Sequence, residues 1–440
     1  SSAASDVYKR QQEGSQELKI YNTSAESFSS ILCLMDYNGK EMLVGTDNGI
    51  YLFDRERKTF RRGDSPFGLW ALSDPTVHAM MRDNEGTLWV MTNSGGINYM
   101  SKQSKRFSTY SLSLTGMEKA DKEIGPFCED REKNVWVGTR NGLWFFNSQT
   151  HSFHEYFLKK SNIKYDIRSL LLEGDNLWVG TYAEGLHVLN LKTGNIKSYT
   201  YSRDIPNTLC SNDVLSLFKD RKGEIFVGTS WGLCRYNPQS DNFITVINVG
   251  AMASVTDIYE DMYNNLWIAT SNRGVFCYNT VGEEWKHFEH IREDLTTITS
   301  NSVITLFEDR KGTMWFGTNG GGLCSFSKET ETFVDFDPEN IWLPDKVIYS
   351  IEQDLAGNFW ISCNSGLYQF NPADKNKNCL FTINDGLQGN QFTAQSSLAS
   401  STGKMYFGGV NGFNVFEPKE FTDNTYLPPC LLYTSPSPRD

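Results

Sequence analysis

Apolar residues along this chain alternate with polar ones over short runs, and the runs come in groups. Val214-Leu215-Ser216-Leu217-Phe218 leads into Asp220-Arg221-Lys222-Gly223, and Ile225-Phe226-Val227-Gly228-Thr229 follows. Gly232-Leu233 and Tyr236-Asn237-Pro238 complete the group. Period-2 alternation bounded by turn residues predicts short strands joined by hairpins. Asp can accept hydrogen bonds from its own turn and Gly can take φ > 0, so Asp-x-x-Gly predicts a tight turn between the first and second strands. The same turn recurs at Asp36 and Gly39, Asp83 and Gly86, Asp309 and Gly312, and Asp354 and Gly357. No stretch carries a convincing helical periodicity, so the pattern predicts an all-β chain.

The group repeats. Val135-Trp136-Val137-Gly138-Thr139 precedes Gly142-Leu143 and Phe145-Phe146-Asn147; Leu177-Trp178-Val179-Gly180-Thr181 precedes Gly185-Leu186; Met314-Trp315-Phe316-Gly317-Thr318 precedes Gly322-Leu323. Weaker copies centre on Leu43, Trp89, Trp267, Trp360 and Tyr406, giving nine copies in all. Their spacing of about 45 residues is that of a four-stranded β-propeller blade. In this reading the Gly of Gly-Thr lets neighbouring sheets approach, and the Trp fills the space between blades. Propellers usually close with four to eight blades, so nine must be divided. The stretch from Ser108 to Gly125 departs most from the pattern. We therefore expect residues 12–119 to hold the last two blades of one propeller and residues 120–429 to form a complete seven-bladed one. Residues 1–11 and 430–440 look non-native and are set aside from the fold.

Composition narrows the function. A net charge of -12 repels phosphate backbones, so no nucleic-acid partner is expected through this region. No run approaches the roughly 18 apolar residues that span a bilayer. The nine Cys are scattered without metal-ligand spacing. Cys234 and Cys324 occupy the same position in two repeats and are expected to be buried small hydrophobes, not half-cystines. The His pairs at 151/154 and 287/290 lack a third ligand, so surface His is expected and no metal or other cofactor is implied. Asp83-Asn84-Glu85-Gly86-Thr87-Leu88-Trp89 has the wrong spacing for a sialidase Asp-box, and Gly320-Gly321-Gly322 is followed by no phosphate-binding Lys.

The Leu-Trp-Val-Gly-Thr, Gly-Leu, aromatic-Asn pattern resembles the two-component regulator propeller repeat over most of the chain. The last copy is similar to that family's closing blade. It runs from Asp385-Gly386-Leu387-Gln388-Gly389-Asn390-Gln391-Phe392 through Tyr406-Phe407-Gly408-Gly409 to Val410-Asn411-Gly412-Phe413. The resemblance implies a periplasmic ligand-sensing region of a hybrid two-component regulator. In such regulators a β-sandwich, a membrane helix and a histidine kinase follow in cis, Leu427-Pro428-Pro429 standing where the sandwich would begin. It further implies an oligosaccharide ligand, a homodimer in the full-length protein, and no catalysis by the propeller itself. Alternatives are a protein-interaction scaffold and a metal-dependent propeller lyase, which needs an axial His-Glu pair that cannot be singled out here.

Strand order places the candidate site. The loop between the second and third strands opens at the same end as the blade-to-blade crossovers, and loops on a rigid scaffold carry recognition. Arg140, Tyr182, Glu184, Trp231, Arg273 and Asn319 lie on those loops, and Arg168, Asn212 and Asn301 begin innermost strands at that end. Aromatic faces with Arg, Asn and Glu suit a sugar or acidic oligosaccharide. About half of these residues are expected only to cap turns.

Overall fold

The structure, a computed structural model, describes residues 6–11, 18–22, 30–62, 72, 74–84, 86–100, 107–110, 123–156, 165–248, 253–280, 282–337, 343–371 and 378–421. Seven four-stranded antiparallel sheets form a ring. Blades I to VI run in chain order, with innermost strands Ile124–Glu129, Ile167–Glu173, Val214–Lys219, Val255–Glu260, Val303–Glu308 and Ile348–Gln353. Blade VII is built from Phe392–Ala399, Met405–Gly409 and Gly412–Phe416, and its outermost strand is Ser108–Tyr110. Ser108 pairs with Val415 and Tyr110 with Phe413. Phe392–Ala399 packs against Ile124–Glu129, which closes the ring.

The closure moves the expected boundary at 119/120. The propeller begins before Ser108, because blade VII needs an outer strand and the chain after Phe416 supplies none among the described residues. Gly125, the last residue of the stretch that departs most from the repeat, is already inside the first innermost strand. Two further blade-like sheets precede the ring, one of four strands over residues 31–62 and one of three over 77–100. They share a core of Leu43, Ile50, Leu52, Val77, Leu88 and Val90. Asp6–Gln11, within the stretch set aside as non-native, pairs with Leu18–Asn22. The stretch 430–440 and Leu427-Pro428-Pro429 lie outside the described residues. Among the described residues helix is confined to two 3-10 turns, Ile383–Asp385 and Pro418–Glu420.

The blade motif has a local cause at each position. The Thr hydroxyl of Gly-Thr donates to the carbonyl of the turn Gly that follows: Thr139 to Gly142 at 2.9 Å, Thr181 to Gly185 at 2.7 Å, Thr229 to Gly232 at 2.9 Å and Thr318 to Gly322 at 2.8 Å. These threonines are fully buried, so the bond spares each hydroxyl an unpaired burial. The turn Asp does more than cap. Asp261 accepts the Asn265 N–H at 2.8 Å and also the Trp267 indole N–H at 2.9 Å. The same indole bond joins Trp89 to Asp83, Trp315 to Asp309 and Trp360 to Asp354. The Trp can therefore bury its ring without stranding its donor. Trp267 is 1% exposed between blades IV and V, against Phe288, Phe316 and Phe326. Burial of a ring this size is worth on the order of 5 kcal/mol gross.

Candidate functional site

The loops after each second strand and the crossovers before each innermost strand meet at one end of the ring. Ser230 N–H donates to the carbonyl of Asp213, Ser271 N–H to that of Ser254, and Asn319 N–H to that of Ser302. Gly185 N–H reaches the Asn212 carbonyl of the next blade, and Gly274 N–H the Asn301 carbonyl. All nine candidate residues lie in this mouth, as strand order requires, but they divide by chemistry.

Blades I to III form one polar arc. The residue just before the innermost strand is acidic in each: Glu123, Asp166 and Asp213. Blades IV and V carry Ser254 and Ser302 there. Arg140 pairs with Glu123 at 2.6 Å, and Arg168 with Asp166 at 2.7 Å. The Arg168 guanidinium also stands 5.7 Å from the centroid of the Tyr182 ring. Asp213 accepts the Ala183 N–H at 2.9 Å and the Ser230 hydroxyl at 3.1 Å, tying the loops that carry Tyr182 and Trp231 to each other. Trp231 is 43% exposed and meets Tyr201 edge-on at 5.6 Å. Glu184 is exposed on the same loop as Tyr182.

A small cleft of about 30 Å³ opens at one end of this arc, where blades I and II meet blade VII, lined by Glu123, Arg140, Asp166, Arg168 and Thr393. Asp166 Oδ1, Arg168 Nε and Thr393 Oγ1 are buried there with no hydrogen-bond partner in the protein. Buried polar atoms rarely stay unpaired, so an acceptor and two donor-capable groups await a water or a polar ligand group.

The remaining candidates serve structure. Asn212 Oδ1 accepts the Tyr201 N–H and Asn301 Oδ1 the His290 N–H, both at 2.7 Å, so these two asparagines shape crossovers. The Arg273 N–H caps Thr270 at 2.9 Å, and its side chain reaches Glu289 at 3.5 Å. Asn319 forms a backbone bridge to Val347, just before the innermost strand of the neighbouring blade VI. Glu123, Asp166, Asp213 and Tyr201 escaped the reading of the sequence. The acids were recoverable as a register feature, one residue before each innermost strand.

Inside the mouth the axial channel has a volume of about 340 Å³, with Ser216, Asp257, Glu352 and Gln395 on its walls. Burial pushes the carboxyls of Asp257 and Glu352 up to about 7. Gln395 takes φ 53° within a bulge of blade VII, and its amide donates across the axis to the carbonyls of Thr256 and Ile304.

One expectation changes: Cys234 is bonded to Cys210, whereas Cys324 is buried and free. His187, outside the two His pairs, is buried; it hydrogen-bonds Ser198 at 2.8 Å, and desolvation holds its imidazole below its usual range. Among the described residues no group of three or more His, Cys, Asp or Glu is placed to hold a metal, and no helix is long and apolar enough to cross a membrane.

The two component regulator propeller profile matches residues 71–94, 251–272 and 297–320, on blade motifs centred at Trp89, Trp267 and Trp315. Histidine kinase P4 of Formosa agariphila is 23% identical over 349 residues, which cover 77% of this chain and 25% of that protein. The extracellular domain of a hybrid two component system from B. thetaiotaomicron superposes with a TM-score of 0.71 at 23% identity, over 94% of this chain and 55% of that one. Virginiamycin B lyase from Staphylococcus aureus shares the fold at TM-score 0.52 and 12% identity, over 70% of this chain and 97% of that one. The chain thus spans about a quarter of the curated relative and about half of the extracellular domain that it matches. It is a β-propeller chain that matches the two component regulator propeller repeat at three stretches.

Proposed function

We propose that this propeller is the extracytoplasmic ligand-sensing part of a hybrid two-component regulator, and that its ligand is a glycan-derived oligosaccharide bound on the arc of blades I to III. The cleft with three unpartnered buried polar atoms carries this reading, because it lies between two arginines, one of which stands against the exposed Tyr182 ring. Tyr182 and Trp231 offer faces for apolar sugar ring surfaces. Arg140 and Arg168 can exchange their carboxylate partners for a ligand carboxylate at little net cost in charge, which favours an acidic sugar. The match to a histidine kinase and to an extracellular sensor domain supports the signalling context. A periplasmic location tethered to the inner membrane, a β-sandwich and kinase in cis, and a homodimer belong to the same proposal, as does the absence of catalysis by the propeller. A ligand would signal by binding one arrangement of the whole receptor better than another.

Calorimetry with a panel of neutral and uronic-acid oligosaccharides tests the site. Arg168→Ala and Trp231→Ala should each weaken binding by roughly tenfold or more. Unchanged affinity in both variants would remove the arc from the binding site. A protein partner retained with no oligosaccharide response would instead favour the scaffold, and metal-dependent turnover of a cyclic peptide the lyase.

A further inference from the structure

Two crossovers of the ring are built alike. In 201–213 the Tyr201 N–H donates to Asn212 Oδ1 and the Ser202 N–H to Thr208 Oγ1; in 290–302 the His290 N–H donates to Asn301 Oδ1 and the Ile291 N–H to Thr297 Oγ1. Each hands a carbonyl, of Asn207 or Thr296, to the outer strand at Phe243 or Phe333. Each buries one apolar plug, Leu209 or Ile298. Beneath each lies the cysteine that follows Gly-Leu, Cys234 or Cys324, both fully buried.

The links to those cysteines differ. At 290–302 the Cys324 thiol faces the backbone and hydroxyl of Thr299. At 201–213 the equivalent residue is Cys210, whose Cα lies 6.5 Å from that of Cys234 and whose sulfur is bonded to it. One crossover is held by non-covalent contacts and its twin by a covalent bond. The covalent one carries Tyr201, which packs on Trp231, and Asn212, which receives Gly185 of the Tyr182 loop.

We propose that Cys210–Cys234 is a redox-controlled staple that holds the crossover between blades II and III against the mouth, and with it the Tyr201–Trp231 ring pair. Oxidation removes two protons and two electrons from the thiols and passes them to a disulfide oxidant, which becomes two thiols. In reversal, the thiolate of a dithiol reductant attacks the Cys210 sulfur, which is partly accessible, and the buried Cys234 leaves as a thiolate and takes up a proton. The second thiol of the reductant then displaces Cys210. Reduction leaves the crossover with the same bonds as its twin but without the Thr299 hydroxyl, since a cysteine stands there. Its effect on ligand affinity rests on the proposed mouth site; the staple itself does not.

The test uses the full chain and no ligand. The protein, purified without reductant, is denatured and alkylated before and after dithiothreitol, and hydrogen exchange is followed in the folded protein under both conditions. We expect two additional alkyl groups after reduction, mapping to Cys210 and Cys234. Amides of 201–213 should exchange at least roughly tenfold faster in the reduced protein, with 290–302 unchanged as the internal control. Cys210→Thr, which copies the twin, should show the same exchange with and without dithiothreitol. Full alkylation of both cysteines before reduction overturns the staple. A disulfide whose reduction leaves exchange in 201–213 unaltered overturns its control of the crossover.

Discussion

At Gly228 a missing methyl decides whether two blades fit. A Cβ there would stand 2.7 Å from Val255 Cγ1 of the next blade and would run into the Ser216 hydroxyl of its own. Gly138, Gly180, Gly317 and Gly408 are confined in the same way by the facing residue of the innermost strand and the first residue of the next one. Gly228→Ala should therefore cost about 1–3 kcal/mol through overpacking, read as a lowered midpoint in urea. No loss would mean that blade III can separate from blade IV freely. Blade IV shows how the position can change: it carries Ala269, and the facing Asp257 is bonded to the N–H groups of Ile258 and Leu306. The role of this Gly in close approach was legible from the repeat. The Asp-to-Trp indole bond was not, because only the fold shows that the turn oxygen and the ring nitrogen six residues later share one end of the blade.

At the scale of elements, the ring is closed by a strand that the chain supplies early and uses late. Phe107 beside it meets Phe381, Phe416 and Phe421 at 5.2, 5.0 and 5.1 Å, and Tyr110 stacks on Phe413 at 5.1 Å. Phe107→Ala should cost about 3–5 kcal/mol, and hydrogen exchange should show the loss first in Ser108–Tyr110 and Gly412–Phe416. Thermal unfolding of the variant at the parent temperature would show that closure does not depend on this contact. Ser108-Thr109-Tyr110 gives no strand signal of its own, and its partner lies about 300 residues away, so the sequence reading left it with the two preceding blades.

Across the whole molecule, the axis gathers what no single blade contains. Glu352 lies on the channel wall and receives the Ser397 hydroxyl at 2.9 Å, and burial pushes its carboxyl from 4.5 to about 7. Below the unfolded value both states are protonated and the group is neutral toward stability. As pH rises from about 4.5 toward 7 the unfolded chain loses its proton first, so stability falls, and above 7 the loss is complete. A shift of this size corresponds to about 3 kcal/mol at most. Glu352→Gln should flatten the fall in stability between pH 5 and 8, measured by urea unfolding at each pH, and leave the variant more stable at pH 8. An unchanged slope would show that Glu352 does not hold its proton. Gln395 acts at the same scale, since its bonds to Thr256 and Ile304 join the closing blade to blades IV and V across the channel.

By itself the sequence determined the blade, the strand order and the end of the ring at which the second-strand loops meet the crossovers. These depend on alternation, turn residues and a fixed repeat, all short in range. Tertiary structure alone decided which strand closes the ring, which cysteines join and which side chains face one another across the axis. It also separated the arginine-acid arc of blades I to III from the asparagines that only shape crossovers, because adjacent blades meet through residues about one repeat apart in the chain, and pattern carries no information about what stands opposite a side chain once the ring has closed.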